Sequence, residues 1–508
     1  MKKIIVLSVL LLLLLPITSY GLENDYIDIG LKFGSQIDEV DLVFDKGMSF
    51  GFNSANNYNE LLSFKGVSNI TLYKDTTYSL QVKKSYKSID EMSNDLEAIR
   101  KKGIEVYPVF DNGLYIRIGK YKSSSEAKSD INKLKSKVNG SLEVKEPSKT
   151  FVKIYSGKNT LFVYNTVDGR SLYLKSLGDY FQFSGKKYRN GLKIARYENS
   201  DLTIINRLRM NEYLYGVLPR EMSSSWPIEA LKAQAVTARS FAIKSRGKHS
   251  SMGFDLCTTT DCQVYGGYDS EGPISNRAVD ETSGKLLYFG NDIANTYYHS
   301  NSGGYTANIK NIWGAEYPYL VSVEDSFSIG SPHSDWKIEL SKDQMENTLS
   351  KNDINIGNIK DISVIDKSID GRVTKLLFQG SKGSKVLERE LPRKVIGYTK
   401  LKSMNFDVYK NSSVIVKNQA KTLTTSLKDK YIISSDSKKS KTKQNQIYVV
   451  FSGKEAKEIS YSDADFTIHG HGFGHGIGMS QYGAKKMAEL GYTYDQILYH
   501  YYKGTAVR

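Results

Sequence analysis

The sequence predicts an α+β protein, in which a small two-helix, four-strand module precedes a larger mixed α/β domain. Three observations lead to this fold class. A strand–helix–strand pattern occurs twice between residues 75 and 146, residues 151–205 are rich in strand-forming residues, and an alanine-rich helical pattern follows residue 227. The chain has 508 residues, which is too long for one hydrophobic core, so two or three domains are expected.

The first 21 residues have the layout of a secretory signal peptide. Lys2 and Lys3 precede the apolar run Ile4–Pro16, and the small or polar residues Ser19–Gly21 follow it. No cysteine follows the apolar run, so a lipoprotein anchor is not expected. An uncleaved segment would form a short membrane tether. The sequence therefore predicts an extracytoplasmic protein, secreted or membrane-tethered at the cell wall.

The composition favours a polyanionic partner. The formal net charge is +15, and bacterial wall polymers are polyanions that attract basic exported proteins. Export argues against nucleic acid as a partner. The chain has only two cysteines, which excludes a disulfide scaffold.

Residues 22–74 are predicted to form a short β-rich segment, and residues 75–146 contain an internal duplication. Each half combines a strand, an amphipathic helix and a second strand, with apolar residues three or four positions apart along each helix. The predicted strands are Tyr78–Val82, Ile104–Phe110, Tyr115–Gly119 and Ser141–Val144, and the apolar helix positions are Met92, Leu96, Ile99, Ala127, Ile131, Leu134 and Val138. The pattern resembles a SPOR domain, which implies binding to peptidoglycan glycan strands that lack stem peptides. Gln81, Tyr115 and Arg117 or nearby loops would contact the glycan. A spacer without glycan binding is the alternative.

A single acid stands out before the alanine-rich helix. Glu221 ends an apolar, strand-like run, and Pro227 fits the first turn of the helix that follows. Ser225 or Trp226 is predicted as the N-cap, with Glu229 closing a capping box on Trp226. The small residues of the helix allow close packing that would hold the preceding loop rigidly, as a general acid requires. The residue pattern alone also fits a salt-bridged surface glutamate.

Glycine and capping signals organise the C-terminal part. The segment Gly470–Gly478 alternates glycine with other residues, so its backbone can adopt positive φ and approach a ligand closely. Ser480 is predicted to cap a helix that ends before Gly491, and Thr493 with Gln496 forms a capping box for Tyr494–Tyr502. Residues 411–445, rich in Lys, Ser and Thr, are predicted to form a mobile insertion.

Four motifs occur together in residues 150–508: the segment around Glu221, the loop Asp255–Tyr265, the segment Tyr298–Gly304, and the C-terminal GHGIGMSQYGA. In this order they resemble the SpoIID/LytB family, which includes peptidoglycan lytic transglycosylases and LytB amidase enhancers. The resemblance implies that Glu221 is catalytic. The substrate-contacting residues that we expect are Arg239, Gln263, Tyr298, His299, Ser300, Asn301, Ser302, His475, Gln481 and Tyr482.

The resemblance implies cleavage of the MurNAc–GlcNAc bond in peptide-poor glycan to 1,6-anhydro-MurNAc products, during sporulation or germination. One acid suffices for this reaction, whereas an ordinary glycosidase uses two carboxylates. Burial beside Trp226 would raise the pKa of Glu221 and keep it protonated. No metal is needed for the catalysis. The alternative is a non-catalytic wall protein that stimulates an N-acetylmuramoyl-L-alanine amidase. A zinc hydrolase lacks a sufficient ligand set.

Cys257 and Cys262 have a spacing compatible with a metal site. Some family members bind zinc here through two Cys and two His, which implies one structural zinc with His249 as a further ligand. Asp261 stands where those members have a histidine, so the fourth ligand is Asp261, His299 or water. A disulfide and free thiols are the alternatives. His469, His471 and His475 are not predicted to form a metal site, because glycines separate them.

Overall fold

The structure is a computed structural model that describes residues 26–34, 37–54, 57–166, 172–196, 201–410 and 465–508, with the short stretches 414–417, 422–425, 431–433, 438–441, 447–452 and 455–460. The chain divides into two compact units. The first contains residues 1–213, 247–262 and 267–269, and the second contains residues 214–246, 263–266 and 270–508. The predicted signal peptide lies outside the described residues. In these ranges, no helix has the length and apolar character needed to cross a membrane.

The first unit is built on one large sheet. Some of its strands, such as Glu39–Phe44, alternate buried with more exposed residues, whereas Val106–Phe110 is buried throughout, as expected for a strand covered on both faces. Its strands are β1 Tyr26–Lys32, β2 Glu39–Phe44, β3 Gly47–Ser54, β4 Asn57–Lys65, β5 Asn69–Lys74, β6 Tyr78–Val82, β7 Val106–Phe110, β8 Leu114–Tyr121, β9 Leu142–Lys145, β10 Phe151–Ser156, β11 Asn159–Asn165, β12 Leu172–Phe183, β13 Lys186–Ala195, β14 Thr203–Arg209 and β15 Leu256–Cys257. The hydrogen-bonded order is β15-β1-β14-β13-β12-β2-β5-β10-β11-β7-β8-β6-β9, with β3 on β12 and β4 on β3.

Residues 75–146 contain β6 to β9 and the helices α1 Ile89–Arg100 and α2 Ser124–Leu134. Both helices begin as the amphipathic pattern indicates, because Ser88 and Ser123 accept hydrogen bonds from backbone N–H groups three residues on. The apolar residues of α1 are buried. However, β7 pairs in parallel with β11, so the four strands continue into the large sheet rather than closing a sheet of their own.

This continuity places the domain divisions differently from the predicted ones. The predicted segments 22–74 and 75–146 belong to the same compact unit, and so do the strands of residues 150–213, which the sequence assigned to the C-terminal domain. Sequence periodicity detects individual strands but not the hydrogen bonds between distant ones. Because β10 pairs with both β5 and β11, the N-terminal strands and the strands after residue 150 belong to one sheet.

The second unit is mixed α and β, which confirms the α+β prediction. α3 begins in the first unit and ends in the second. The helices are α3 Met210–Glu221, α4 Ile228–Lys244, α5 Pro273–Glu281, α6 Ile309–Trp313, α7 Lys342–Ser350, α8 Leu391–Ile396, α9 Gln481–Glu489 and α10 Tyr494–Tyr501. Short 3-10 turns cover Ser250–Met252, Tyr268–Ser270 and Ser326–Ser328. The remaining strands are β16 Leu287–Phe289, β17 Asp292–Ile293, β18 Tyr298–His299, β19 Trp336–Leu340, β20 Ile359–Lys367, β21 Val373–Gly380, β22 Ser384–Glu388, β23 Phe406–Lys410, β24 Val414–Lys417, β25 Thr422–Thr425, β26 Tyr431–Ile433, β27 Lys439–Lys441, β28 Ile447–Ser452, β29 Glu455–Ser460, β30 Phe466–Gly470, β31 Met479–Ser480 and β32 Ala506–Val507.

The alanine-rich helix α4 is the centre of the second unit. Its small residues are completely buried on several faces, which permits close contact with α5, α9 and α10. The last two helices start at the predicted caps: Ser480 Oγ accepts from Gly483 N–H, and Thr493 with Gln496 forms the capping box. A second apolar core surrounds β19 to β23 and includes Leu376, Phe378 and Phe466.

Three local predictions are wrong. The run before Glu221 is helix α3 rather than a strand. The N-cap of α4 is Pro227, without a side-chain hydrogen bond, and Glu229 accepts from Tyr494 N–H at 2.8 Å instead of closing a capping box. In the 411–445 segment, β24–β25 and β26–β27 form hairpins, so the expected lack of regular structure is wrong there. The other residues of that segment lie outside the described ones.

Candidate functional site

Glu221 is the last residue of α3, and residues from three other segments surround its carboxylate. Gln481 is the first residue of α9, and its Nε2 donates to Glu221 Oε2 at 3.3 Å. The Tyr298 hydroxyl and the Val264 backbone N–H also hydrogen-bond to the carboxylate. Four segments that are distant in sequence therefore meet at one acid.

A second glutamine orients the tyrosine. Gln263 Nε2 donates to Tyr298 Oη at 3.1 Å and lies 3.4 Å from the Ala238 carbonyl oxygen of α4. Because the amide donates to the phenol oxygen, the phenol hydrogen is directed toward Glu221. The relay from α4 through Gln263 and Tyr298 fixes the carboxylate before any substrate binds, which is a form of preorganisation.

Burial raises the pKa of Glu221 above its usual value, because the charged carboxylate loses hydration. The hydrogen bonds from Tyr298, Gln481 and Val264, together with the charge of Arg220, oppose that rise by stabilising the carboxylate. Desolvation is the larger effect. The acid therefore keeps its proton to a higher pH than a solvated glutamate does, as a general acid near neutral pH requires.

The predicted segment 298–302 lies beside the glycine-rich loop. β18 pairs in parallel with β31, and Tyr482 N–H donates to the Ser300 carbonyl at 3.0 Å. Gly478 has φ +70°, and a Cβ there would lie 2.0 Å from the Tyr297 carbonyl oxygen, so only glycine fits. The close approach of the two segments thus depends on the glycines that the sequence singled out.

Several predicted substrate-contacting residues are instead internal supports of this loop. Asn301 is 1% exposed; its amide donates to Ser331 Oγ at 2.9 Å, and its Oδ1 accepts from Gly303 N–H. Ser302 is fully buried and donates to Asp325 Oδ2 at 2.7 Å. Both side chains are occupied within the fold, so the structure does not support direct contact with substrate.

The histidines have separate environments. His299 is buried, and its ring centroid lies 5.7 Å from that of His475. Burial lowers the pKa of His299 well below its usual value and that of His475 to about 3, so both rings are neutral near pH 7. His469 contacts Tyr409, and His471 lies 3.6 Å from Asp335.

Arg239 is also internal, contrary to the prediction. Its guanidinium is 2% exposed and donates to the carbonyl oxygens of Thr282 at 2.7 Å, Lys285 at 3.2 Å and Val279 at 3.1 Å. These carbonyls lie at the C-terminal end of α5 and just after it, where carbonyl oxygens lack helical N–H partners and can accept from a side chain. Arg239 therefore joins α4 to α5 and does not position acetamido or lactyl groups of a substrate.

Three residues that support the site and its neighbouring loop were not predicted from the sequence. Arg372 is 1% exposed and donates to the Ser302 and Tyr305 carbonyls at 2.9 Å each. Tyr501 donates to Asp325 Oδ1 at 2.8 Å. Lys485 lies over the Trp226 ring at 5.4 Å, and that ring contacts Tyr482 at 5.0 Å. Lys485 has a sequence signal, because it follows Gln481 by four residues on one helix; the other two have none.

In the first unit, His249, Cys257, Asp261 and Cys262 form a cluster whose ligand atoms all lie within 4.8 Å of one another. His249 Nε2 lies 3.3 Å from Cys262 Sγ and 3.5 Å from Asp261 Oδ2. Pairing of β15 with β1 and stacking of His249 on Phe254 fix the positions of these side chains. His299, the predicted alternative ligand, is not a member of the cluster. No disulfide joins the two cysteines in the structure, and burial raises the pKa of Cys262 to about 11.

A tetrahedral zinc ion with Zn–S and Zn–N bonds of about 2.3 and 2.0 Å separates its ligand atoms by roughly 3.3–3.8 Å. The two measured separations match this range, so the donor set fits zinc. The ion pair of Lys248 with Asp261, at 3.0 Å, competes for one carboxylate oxygen. The structure shows that these four residues could hold a zinc ion, and binding of the ion stays a prediction.

The arrangement around Glu221 defines a class of site: one partly buried acid with a raised pKa, held by a tyrosine, a glutamine and a backbone N–H. Comparison with known proteins shows which families match parts of the chain. The Stage II sporulation protein (SpoIID) family matches residues 198–289, and the SPOR domain matches residues 74–144. A domain of unknown function matches residues 330–425. Residues 198–289 are therefore similar to the SpoIID family, and residues 74–144 match the SPOR domain, as the motifs predicted.

Three relatives show the range of the family. The Amidase enhancer of Bacillus subtilis (strain 168) is 34% identical over 306 residues, which cover 58% of this chain and 40% of that protein. An uncharacterized protein of Brachyspira hyodysenteriae is 27% identical over 330 residues, covering 65% of this chain and 74% of that protein. Stage II sporulation protein D of Bacillus subtilis (strain 168) is 25% identical over 332 residues, covering 62% and 79%. The chain thus spans 40% of the length of the amidase enhancer.

Proposed function

We propose that this protein has a cell-wall-related role in sporulation or germination and that it is a lytic transglycosylase acting on peptide-poor peptidoglycan. The observation that carries the proposal is the raised pKa of Glu221 inside a preorganised set of hydrogen bonds. The match of residues 198–289 to the SpoIID family supports the wall-related role. The SPOR domain supports attachment to peptidoglycan glycan strands and hence a location at the cell wall.

The proposed reaction uses one acid twice. Protonated Glu221 gives its proton to the glycosidic oxygen as the bond between that oxygen and C1 of MurNAc breaks. The resulting carboxylate accepts the proton of the MurNAc C6 hydroxyl, whose oxygen bonds to C1 and closes the 1,6-anhydro ring. The acid ends protonated, and no water is consumed. Gln481 and Tyr298 stabilise the carboxylate between the two steps.

Product analysis tests the proposal directly. Denuded glycan strands are incubated with the full chain, and the products are separated and weighed by mass spectrometry. We expect 1,6-anhydro-MurNAc ends, lighter by one water than hydrolytic reducing ends. Reducing MurNAc ends as the sole product would contradict the one-acid mechanism and indicate hydrolysis.

A second candidate function has its own support. The relative with 34% identity is named an amidase enhancer, so the chain is also a candidate non-catalytic partner of a wall amidase. The two functions differ in their dependence on Glu221. A catalytic protein loses activity with Glu221→Gln, whereas an enhancer increases stem-peptide release by a purified N-acetylmuramoyl-L-alanine amidase equally well with either residue. Amidase stimulation without anhydro products would favour the enhancer.

We also propose a structural zinc ion held by His249, Cys257, Asp261 and Cys262. The supporting observation is the convergence of two sulfurs, one imidazole and one carboxylate. When bound, the ion would crosslink the loop between His249 and Cys262 and add its binding free energy to local folding. The cysteines and the imidazole would bind in deprotonated form, so metal uptake would release protons. No proton transfer in the glycan reaction involves this cluster.

The glycan-binding surface of the SPOR domain needs revision. Arg117 Nε donates to Gln81 Oε1 at 3.0 Å, and both side chains are buried. They therefore satisfy each other inside the sheet instead of facing a glycan. Of the predicted contact residues, Tyr115 alone is partly exposed. The proposed glycan contact accordingly rests on the flanking loops of the domain rather than on this pair.

A further inference from the structure

The first unit contains a cavity of about 870 Å³ that belongs to neither the acid site nor the cysteine cluster. It is lined by residues of β5 and β10, by the turn between β10 and β11, by Lys120 of β8 and by Arg196 after β13. This volume lies within the range of small-molecule binding sites. Five cationic side chains and one carboxylate, that of Asp38, contribute to its lining.

Three of the cations have carboxylate partners. Lys74 pairs with Asp38 and, at 2.7 Å, with Asp201. Lys153 pairs with Asp75 at 2.7 Å, and both side chains are almost completely buried. Lys120 pairs with Glu105 at 2.9 Å. Protein carboxylates therefore balance the charges on this part of the lining.

Arg196 is different. It is 7% exposed, and its NH1 donates only to neutral groups, the carbonyl oxygens of Phe151 at 2.6 Å and Ser148 at 3.1 Å. Its Nε–H is buried and has no hydrogen-bond partner, and no carboxylate of the described residues forms an ion pair with it. Asp75, Asp201 and Asp38 attract it only at longer range, and their attraction is smaller than the effect of burial, which lowers the pKa of Arg196. A buried cation without a direct anionic partner is costly, and so is a buried donor without an acceptor. An anion in the cavity would supply such a partner.

Lys158 provides a second cation without a carboxylate. It lies in the exposed turn between β10 and β11 and, among the described side chains, has no ion-pair partner. Its own carbonyl oxygen is 3.4 Å from Lys120 Nζ, which places the turn beside the cavity lining. An exposed lysine and a buried arginine that line the same cavity can both form charge-assisted hydrogen bonds to an acidic group.

The lining also contains two aromatic rings. Tyr73 and Tyr155 pack edge to face with ring centroids 5.3 Å apart, and Lys120 Nζ lies 4.7 Å from the Tyr155 ring centre. Thr76 and Thr77 add hydroxyl groups. Apolar ring surface combined with hydroxyl donors suits the mixed surface of a sugar or polyol.

We propose that this cavity binds an anionic carbohydrate unit whose acid group, a carboxylate or a phosphate, pairs with Arg196 and Lys158 while its sugar or polyol part packs against Tyr73 and Tyr155. The proposal is independent of cleavage at Glu221. It gives the first unit a binding function of its own. That function is to bind acidic units of a polymer, and it is separate from cleavage of the glycosidic bond.

The test measures ligand binding by the full chain, with isothermal titration calorimetry and with the shift in its thermal unfolding temperature. The probes are N-acetylmuramic acid, which carries a carboxylate, glycerol 3-phosphate, which carries a phosphate, and N-acetylglucosamine, which is neutral. We expect binding of at least one acidic probe, weakened by added salt, and no response to the neutral sugar. The two acidic probes decide which acid group the cavity selects. Failure of both to bind would overturn the proposal.

Variants locate the binding. Loss of a charge-assisted hydrogen bond in Arg196→Gln should weaken binding of the acidic probe about tenfold or more. Lys158→Glu, at an exposed position, should weaken it and tests the proposal even if Arg196→Gln does not fold. Lys101→Gln, an exposed change at the C-cap of α1, is the matched control and should leave binding unchanged. Unchanged affinity in Lys158→Glu, or equal loss in Lys101→Gln, would refute the site. Glu221→Gln should bind normally, which separates this result from the proposed catalysis.

Discussion

Replacement of Glu221 by glutamine is the sharpest perturbation of the proposed active site. The amide has nearly the same volume, and its oxygen can still accept from Gln481 and Val264. It cannot donate a proton to a glycosidic oxygen as an acid does. The structure therefore predicts a folded protein that has lost the chemical step and kept most of the hydrogen bonds around position 221.

The expected loss of activity follows from the role of the acid. General acid catalysis contributes roughly 10²- to 10⁴-fold to rate. Since each tenfold corresponds to about 1.4 kcal/mol, the variant loses about 2.7–5.5 kcal/mol of transition-state stabilisation. A carboxylate merely bridging Gln481 and Tyr298 would contribute a net hydrogen-bond free energy of only about 1 kcal/mol, or roughly fivefold in rate. The size of the rate loss in Glu221→Gln therefore distinguishes a catalytic acid from a carboxylate with only a structural role.

The same variant has an opposite effect on stability. Burial raises the pKa of Glu221 in the folded state above the unfolded value of about 4.3. The folded protein therefore holds this proton more tightly, and as pH rises from the unfolded pKa through the folded one the carboxylate destabilises the fold. Glu221→Gln should consequently unfold at a higher temperature than wild type at neutral pH. The difference should vanish below about pH 4, where both states are protonated.

The assay measures release of anhydro products from denuded glycan, with unfolding temperature recorded at pH 7 and pH 4. Glu316→Gln is the control, because Glu316 has a 68% exposed side chain that pairs only with Lys310 in the described structure. It should cleave at the wild-type rate. Cleavage by Glu221→Gln within fivefold of wild type would refute the catalytic role, and lower stability at pH 7 would refute the desolvation argument.

Three further results are expected. Wild-type cleavage should fall as pH rises through the raised pKa of Glu221, because the acid must be protonated; a rate that increases steadily to high pH would contradict this. Purified protein should contain close to one equivalent of zinc by elemental analysis, Cys262→Ser should lose it, and a metal-free protein without titratable thiols would indicate a disulfide. Tyr501→Phe should lower the free energy of unfolding by about 1.5–3 kcal/mol in denaturant titration, because it removes a buried hydrogen bond to Asp325; a change below about 0.5 kcal/mol would show that another donor replaces it.

The sequence determined those parts of the protein that depend on local periodicity and short motifs. Strand β6, the apolar faces of α1 and α2, and the caps at Ser480 and Thr493 follow from residue spacing, since hydrogen bonds within a few residues decide them. The importance of Glu221, the glycine-rich loop and the cysteine loop was also evident from the sequence, although their roles came from a family resemblance. These features require no knowledge of distant contacts.

The tertiary structure alone decided which polar residues face a site and which are internal. Arg239 and Ser302 belong to informative motifs, yet the carbonyls after α5 and the buried carboxylate of Asp325 use up their hydrogen-bonding capacity. Arg372 and Tyr501 support the same loop from positions with no motif. Likewise, Arg196 becomes a buried cation without a direct carboxylate partner among the described residues only once β5, β8 and β10 surround the cavity that it lines. The burial of a side chain and its hydrogen-bond partners depend on residues far apart in the chain, so no local sequence pattern predicts them.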